Sequence, residues 1–259
     1  MIGLRNYLKT CILEFLRLLI RGLLMLRIFF AALSAIIIVF AGVVAYAADF
    51  QKGLDAAKAG DYATALKEWQ PLAEQGNADA QFNLGLMYDN GWGVSKDDVE
   101  AVRLYRLAAE QGDASAQINL GMMYATGKGV LKDDVEAAQW YRLAAEQGNA
   151  DAQYNLGLMY YYGRGVLKDA VEAVRWYRLA ADQGDAKAQY NLGVLYGKGE
   201  GVLKDMVFAH MWSNIASANG QELAAGNRDI AESQMTSEQI ADATQRARAC
   251  MSSGYSDCD

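Results

Sequence analysis

Residues 149–184 read NADAQYNLGLMYYYGRGVLKDAVEAVRWYRLAADQG, and the spacing of small and large apolar side chains in this stretch decides the fold. Ala152, Leu156, Gly157 and Tyr160 recur at i, i+4, i+5 and i+8, the period of one helix face. Gly163 and Gly165 stop that helix, because glycine takes the left-handed backbone that a helix C-terminus uses. Asp169 offers a capping oxygen for a second helix. Its apolar stripe is Ala173, Trp176, Tyr177, Ala180 and Ala181, and Gly184 ends it. The stretch is a hairpin of two antiparallel helices, A and B.

The same hairpin recurs along the chain. Gly76, Gly112, Gly148, Gly184 and Gly220 stand 36 residues apart, and their neighbours repeat with them in four units, 77–112, 113–148, 149–184 and 185–220. A fixed period of this length predicts an all-α protein, an α/α solenoid whose units bury their apolar faces only against each other. Gly85, Gly121, Gly157 and Gly193 fall inside helix A, where each costs about 1 kcal/mol relative to alanine. A recurring penalty predicts a recurring reason, the close approach of a Trp or Tyr from helix B. Burial of such a ring, at about 25 cal/mol per Å² of apolar surface, outweighs the loss. Asn83, Asn119, Asn155 and Asn191, also in helix A, are expected to form a side-chain ladder tying neighbouring repeats, with peptide binding as the competing role. Glu100, Glu136 and Glu172 sit in first turns of helix B, where carboxylates favour the helix dipole.

The pattern A-x-A-Q-x-N-L-G-x-(M/L)-Y…G-x-G-V…E-A…W-Y-R-L-A-A-(E/D)-Q-G resembles the Sel-one-like repeat, a longer-looped relative of the tetratricopeptide repeat. The resemblance covers residues 50 to about 250. It implies a right-handed superhelix with helix A on the concave side, and a non-enzymatic scaffold for protein–protein contacts. Residues 49–76 resemble a shorter tetratricopeptide-type unit serving as the N-terminal cap. Residues 221–259 are expected to hold C-terminal capping helices and a tail, and the run Met235 to Ile240 resembles the terminal helix of exported bacterial members. Thr236 and Gln239 independently form a T-x-x-Q capping box for a helix running to about Ala249.

The N-terminus concerns targeting. Arg27 precedes the uncharged run IFFAALSAIIIVFAGVVAYAA at 28–48, and Ala45-Tyr46-Ala47 forms an A-x-A site cut after Ala47. Residues 25–47 are read as a signal peptide, with an uncleaved N-terminal anchor as the alternative, since the run is long enough to span a bilayer. Residues 1–24 are too long for an n-region, so translation is expected to begin at Met25. The alternative is a membrane-surface helix with Leu4, Leu8, Ile12, Phe15 and Leu19 on one stripe. These features point to a periplasmic or secreted protein of a Gram-negative bacterium, or one anchored in the inner membrane and facing the periplasm.

Charge narrows the partners. The chain carries 24 basic and 31 acidic groups, a net of −7 with one histidine; loss of 1–47 leaves 19 against 30, a net of −11. Such a balance argues against nucleic acid and against electrostatic binding to anionic lipid. Twenty-five glycines against one proline exclude collagenous and Pro-rich disordered chains. One histidine and three cysteines leave little for metal chemistry, and no cofactor is expected. Cys250 and Cys258 remain in the exported part, and an oxidising compartment makes them a disulfide pair pinning the tail, worth about 2.5 kcal/mol in the chain-entropy model. The competing redox or metal reading lacks the C-x-x-C spacing.

Gly127-Lys128-Gly129 and Gly197-Lys198-Gly199 fail the Walker A pattern and are read as interhelical turns. His210 is read as a packing variant in helix B of repeat five. A candidate site remains on helix A. Phe82, Ile118, Tyr154 and Tyr190 occupy one column, Leu86, Met122, Leu158 and Val194 another, and Tyr161 and Tyr162 add two rings. By resemblance these residues line a concave groove suited to a protein or peptide ligand; the competing reading packs them against the next repeat. An alternative activity, β-lactam binding or hydrolysis, belongs to cysteine-rich relatives with a cysteine pair in each repeat, a pattern missing here, as is S-x-x-K. A further alternative is a scaffold associated with the cell wall or polysaccharide.

Overall fold

A computed structural model describes residues 50–258. The signal and anchor readings, the cut after Ala47 and the Met25 start concern residues outside that range. The described residues are helical and contain no strand. They fall into two units, one ending at Glu68 and one from Trp69 onward. In the first, residues 50–58 form helix α1 and α2 (Tyr62–Glu74) begins, with an ion pair between Lys52 and Glu68.

The second unit holds four A/B hairpins: α3 (Ala78–Asn90) with α4 (Asp98–Glu110), α5 (Ala114–Thr126) with α6 (Asp134–Glu146), α7 (Ala150–Tyr162) with α8 (Ala170–Ala181), and α9 (Ala186–Lys198) with α10 (Met206–Ala218). Two closing helices follow, α11 (Ala224–Glu232) and α12 (Ser237–Ser252). This is the α/α solenoid of 36-residue hairpins that the periodicity predicts. Each helix of the four hairpins starts with a side-chain cap. Asn77, Asp113, Asn149 and Asp185 accept the N–H three residues on, and Asp97, Asp133, Asp169 and Asp205 accept those two and three residues on. Such caps contribute about 1 kcal/mol apiece. Gly91, Gly127, Gly163 and Gly199 end the A helices in the left-handed conformation. Helix α8 itself ends at Ala181, and left-handed Gly184 completes the turn three residues later.

Glycine notches and rings mesh as expected. A Cβ on Gly85, Gly121 or Gly157 would stand 2.7 to 2.9 Å from a ring carbon of Tyr105, Tyr141 or Tyr177 respectively. It is the tyrosine of each W-Y or L-Y pair that fills the notch. Repeat five departs: Ser213 occupies the tyrosine's position, its Oγ 2.6 Å from where a Gly193 Cβ would be. The core stripe of α7 also differs from expectation. Met159, not Tyr160, joins Ala152, Leu156 and Gly157 in the buried set. The Tyr160 ring stands at the boundary, where its hydroxyl accepts from Arg142 Nη2 at 2.7 Å, because burying a phenol leaves a polar tip that needs a partner.

The main ladder between repeats is built from glutamines where asparagines were expected, although Asn119 and Asn191 do reach Tyr105 and Tyr177 of the preceding repeat. Gln81, Gln117, Gln153 and Gln189 are at most 4% exposed. Their Nε2 atoms donate to Ala73, Ala109, Ala145 and Ala181 carbonyls of the preceding helix at 3.0 to 3.2 Å. Their Oε1 atoms accept from Gln111, Gln147, Gln183 and Asn219 at 2.7 to 2.8 Å. Asn83 and Asn155 instead bond back to Asp79 and Asp151 of their own helices. Their side chains are short and stand where the helix's own carbonyls are within reach.

At the C-terminus the Thr236–Gln239 capping box forms, and α12 continues to Ser252, past the expected Ala249. Cys250 and Cys258 are within bonding distance, Cα atoms 4.5 Å apart, and both are buried in the last core cluster. His210 is 1% exposed, with Nε2 2.9 Å from Glu232 Oε1 of α11. That contact ties the closing helix to α10. Among the described residues no helix is long and apolar enough to cross a membrane.

Candidate functional site

Helices α7 and α9 run side by side on the A layer, and α8 passes beneath α7. Between the two A helices lies an open cleft of about 180 Å³. Leu158, Tyr161 and Tyr162 of α7 form one wall, Tyr190 and Val194 of α9 the other, and the Tyr177 ring seated in the Gly157 notch contributes from beneath. Tyr161 and Tyr162 pack edge to face, centroids 4.9 Å apart. Tyr161 donates to Glu200 at 2.9 Å.

Four further residues belong to the cleft, none of them from the two columns: Tyr177, Asn191, Leu195 and Lys198. Tyr177 is 1% exposed, and its hydroxyl, close to the Asn191 amide, makes no hydrogen bond of good geometry among the described residues. Burial, first, and the neighbouring tyrosines push that phenol well above the ordinary tyrosine range. Burial and the Glu200 carboxylate also raise Tyr161. Both hydroxyls are therefore neutral donors at physiological pH. The cleft combines aromatic walls, a buried donor, an amide and an ammonium. Those groups offer ring faces and hydrogen-bond donors to whatever enters the cleft. Among the described residues no group of histidine, cysteine and acidic side chains gathers as around a metal ion.

The other predicted residues lie elsewhere. Tyr154 packs its ring at 6.0 Å from that of Tyr177, and Phe82 sits likewise against Tyr105. Phe82 and Leu86 lean on the core of repeats two and three, and Ile118 on that of repeats three and four. Met122 is exposed. Apart from Met122 the two columns are half-buried, so groove and packing readings each describe part of these side chains. One repeat further on the cleft continues as a second one of about 230 Å³, sharing Val194 and Lys198. Here Gly197 and Ser213 stand where Tyr161 and Tyr177 stood, and α11 supplies the far wall through Asn227, Ile230 and Ala231.

The Sel1 repeat profile matches residues 78–113, 114–149, 150–185 and 186–221, more than half of the chain and one residue out of step with the glycine frame. The chain belongs to the Sel1 repeat family. Among solved structures, c5321, a protective antigen present in uropathogenic Escherichia coli strains displaying an SLR fold, is similar at 36% identity with a TM-score of 0.74; the match covers 81% of this chain and 47% of that one. A Sel1 repeat protein from Oxalobacter formigenes is similar at 34% identity with a TM-score of 0.65, covering 76% of this chain and 84% of that one. The chain thus spans about half the length of c5321. No curated protein sequence matches at a significant level. Sel1 repeat proteins are generally non-enzymatic scaffolds for protein–protein interaction.

Proposed function

We propose that this Sel1 solenoid is an exported scaffold of the Gram-negative periplasm that holds a peptide or protein segment on its helix-A face, centred between repeats four and five. The observation that carries the reading is the tyrosine cleft, which gathers five of the sequence-nominated residues around the buried Tyr177 hydroxyl. Aromatic side chains of this kind offer large contact area at low conformational-entropy cost, the usual make-up of a binding anchor. The A-x-A site and the cysteine pair support export. Nothing in the cleft pairs a nucleophile with a base, so no reaction is proposed.

Site-specific photocrosslinking in intact cells tests this. A photoreactive residue at Tyr162, which is 56% exposed, is compared with one at Leu179, exposed on helix B. Discrete adducts from position 162 and none from 179, released with the periplasmic fraction, are expected. Adducts from 179 alone would remove the helix-A assignment. Recovery in the cytosolic fraction would remove the location.

A further inference from the structure

The loop lysines of repeats two and three follow a rule that repeats four and five break, the latter with Met206 two residues after Lys204. Lys96 and Lys132 each pair, at 3.6 Å, with the aspartate two residues on, Asp98 and Asp134. Lys168 holds the same position, but the residue two places on is Ala170. Lys128, in the centre of its G-x-G loop, pairs with Asp89 of the preceding repeat. Arg164 is its counterpart, and the residue 36 after Asp89 is Ala125.

Without either pairing, these two cations lie over rings of the cleft wall. Lys168 Nζ stands 5.9 Å from the Tyr161 ring centroid and Arg164 Cζ 5.0 Å from that of Tyr162. Lys198 lines the cleft itself. None of the three makes an ion pair with a carboxylate among the described residues; Glu200, which accepts from the Tyr161 hydroxyl, offsets only part of their charge. A chain of net −7 therefore gathers unpaired positive charge at its aromatic cleft.

We propose that the cleft takes an acidic peptide segment. Carboxylates of the segment meet Arg164, Lys168 and Lys198, an apolar side chain enters between Tyr161, Tyr162 and Tyr190, and an acceptor oxygen receives the Tyr177 hydroxyl. Cations lying over aromatic faces keep their outward hydrogen-bond donors free, so they serve both the ring and an incoming carboxylate. Because the rest of the surface is acidic and charges are screened beyond about 8 Å, recognition is local to a short segment. The inference rests on the helix-A reading above and adds the chemistry of the ligand.

The test is fluorescence anisotropy of the full chain with two labelled ten-residue peptides: Asp and Glu flanking a central Phe, and its Asn/Gln isostere. The acidic peptide is expected to bind at least about tenfold more tightly, with affinity falling as salt rises. Lys168→Gln with Arg164→Gln should weaken it about tenfold, the loss of two partly exposed ion pairs. Ala170→Asp is the decisive variant, since it removes nothing and restores the carboxylate that holds the lysine in repeats two and three. It should weaken the acidic peptide about threefold and leave the isostere unchanged, with circular dichroism unaltered. Equal binding of the isostere overturns the charge inference while the helix-A reading stands on its crosslinks. Failure of the acidic peptide to bind overturns the inference too. Tighter binding of a polygalacturonate oligosaccharide, lost in the same variants, replaces the peptide with an anionic glycan.

Discussion

Replacing Gly157 by alanine sets two effects of similar size against each other. In a helix interior the change gains about 1 kcal/mol of propensity. Here the new methyl would lie 2.7 Å from both Cδ1 and Cε1 of Tyr177 and 3.3 Å from its Cγ. Two ring carbons and the ring's attachment point are crowded together, so rotation of the ring offers no escape and α7 and α8 must separate. Overpacking of this kind costs about 1–3 kcal/mol, so the expected net effect is a loss of about 1 kcal/mol. The same substitution in a Tyr177→Val background meets no ring and should recover its helix gain of about 1 kcal/mol, giving a coupling of about 2 kcal/mol between the positions. Urea unfolding followed by circular dichroism at 222 nm measures all four proteins, compared by midpoint where the slope is unchanged. Equal stabilisation by Gly157→Ala in both backgrounds would refute the notch argument.

Alkali offers a second check. Burial pushes the Tyr141 phenol up to about 12 from an ordinary value near 10. A pKa raised in the folded state means that the stabilising contribution is complete below about pH 10 and is lost as pH climbs through 10 to 12, amounting to about 2–3 kcal/mol. The melting temperature should fall across that window, and Tyr141→Phe should flatten the fall; a flat profile in the parent would contradict the burial. Gln153→Ala removes the donor to the Ala145 carbonyl, at 3.2 Å, and the acceptor of Gln183, at 2.8 Å, and should cost about 1–3 kcal/mol. Asn155→Ala, whose side chain bonds within its own helix, should stay within about 0.5 kcal/mol by the same urea assay.

How far the sequence reaches depends on the interaction. Caps, hairpins and the glycine notch were legible because each depends on residues a few positions apart or on a 36-residue echo. The glutamine ladder has the same echo and was passed over, since Gln81 and Gln111 look like surface residues until the helices around them are assembled. Met159 and Tyr160 exchange roles because neighbouring positions on a helix differ by only 100°, and a hydroxyl in reach of Arg142 decides between them. In the cleft, Leu158, Tyr161, Tyr162, Tyr190 and Val194 could be nominated from column membership. Tyr177, Asn191, Leu195 and Lys198 could not, because they arrive from a helix B, from the supposed ladder, from the buried face of α9 and from a supposed turn. A comparison of each repeat with its neighbours at the lysine and aspartate positions would have exposed the departure at Ala170.

The second glycine of each loop has a broader consequence. A Cβ on Gly129, Gly165 or Gly201 would come within 2.2 Å of the carbonyl oxygen of Asp98, Asp134 or Ala170 at the start of the preceding helix B. Main chain rests on main chain there, a close approach that joins the glutamine ladder in setting the pitch from one hairpin to the next. The residue between the two glycines is Trp92, Lys128, Arg164 or Glu200 in successive loops. It is free of that constraint, a place where mutation can rewrite the charge presented to the outside, one rung at a time, while the spacing of the rungs stays as it was.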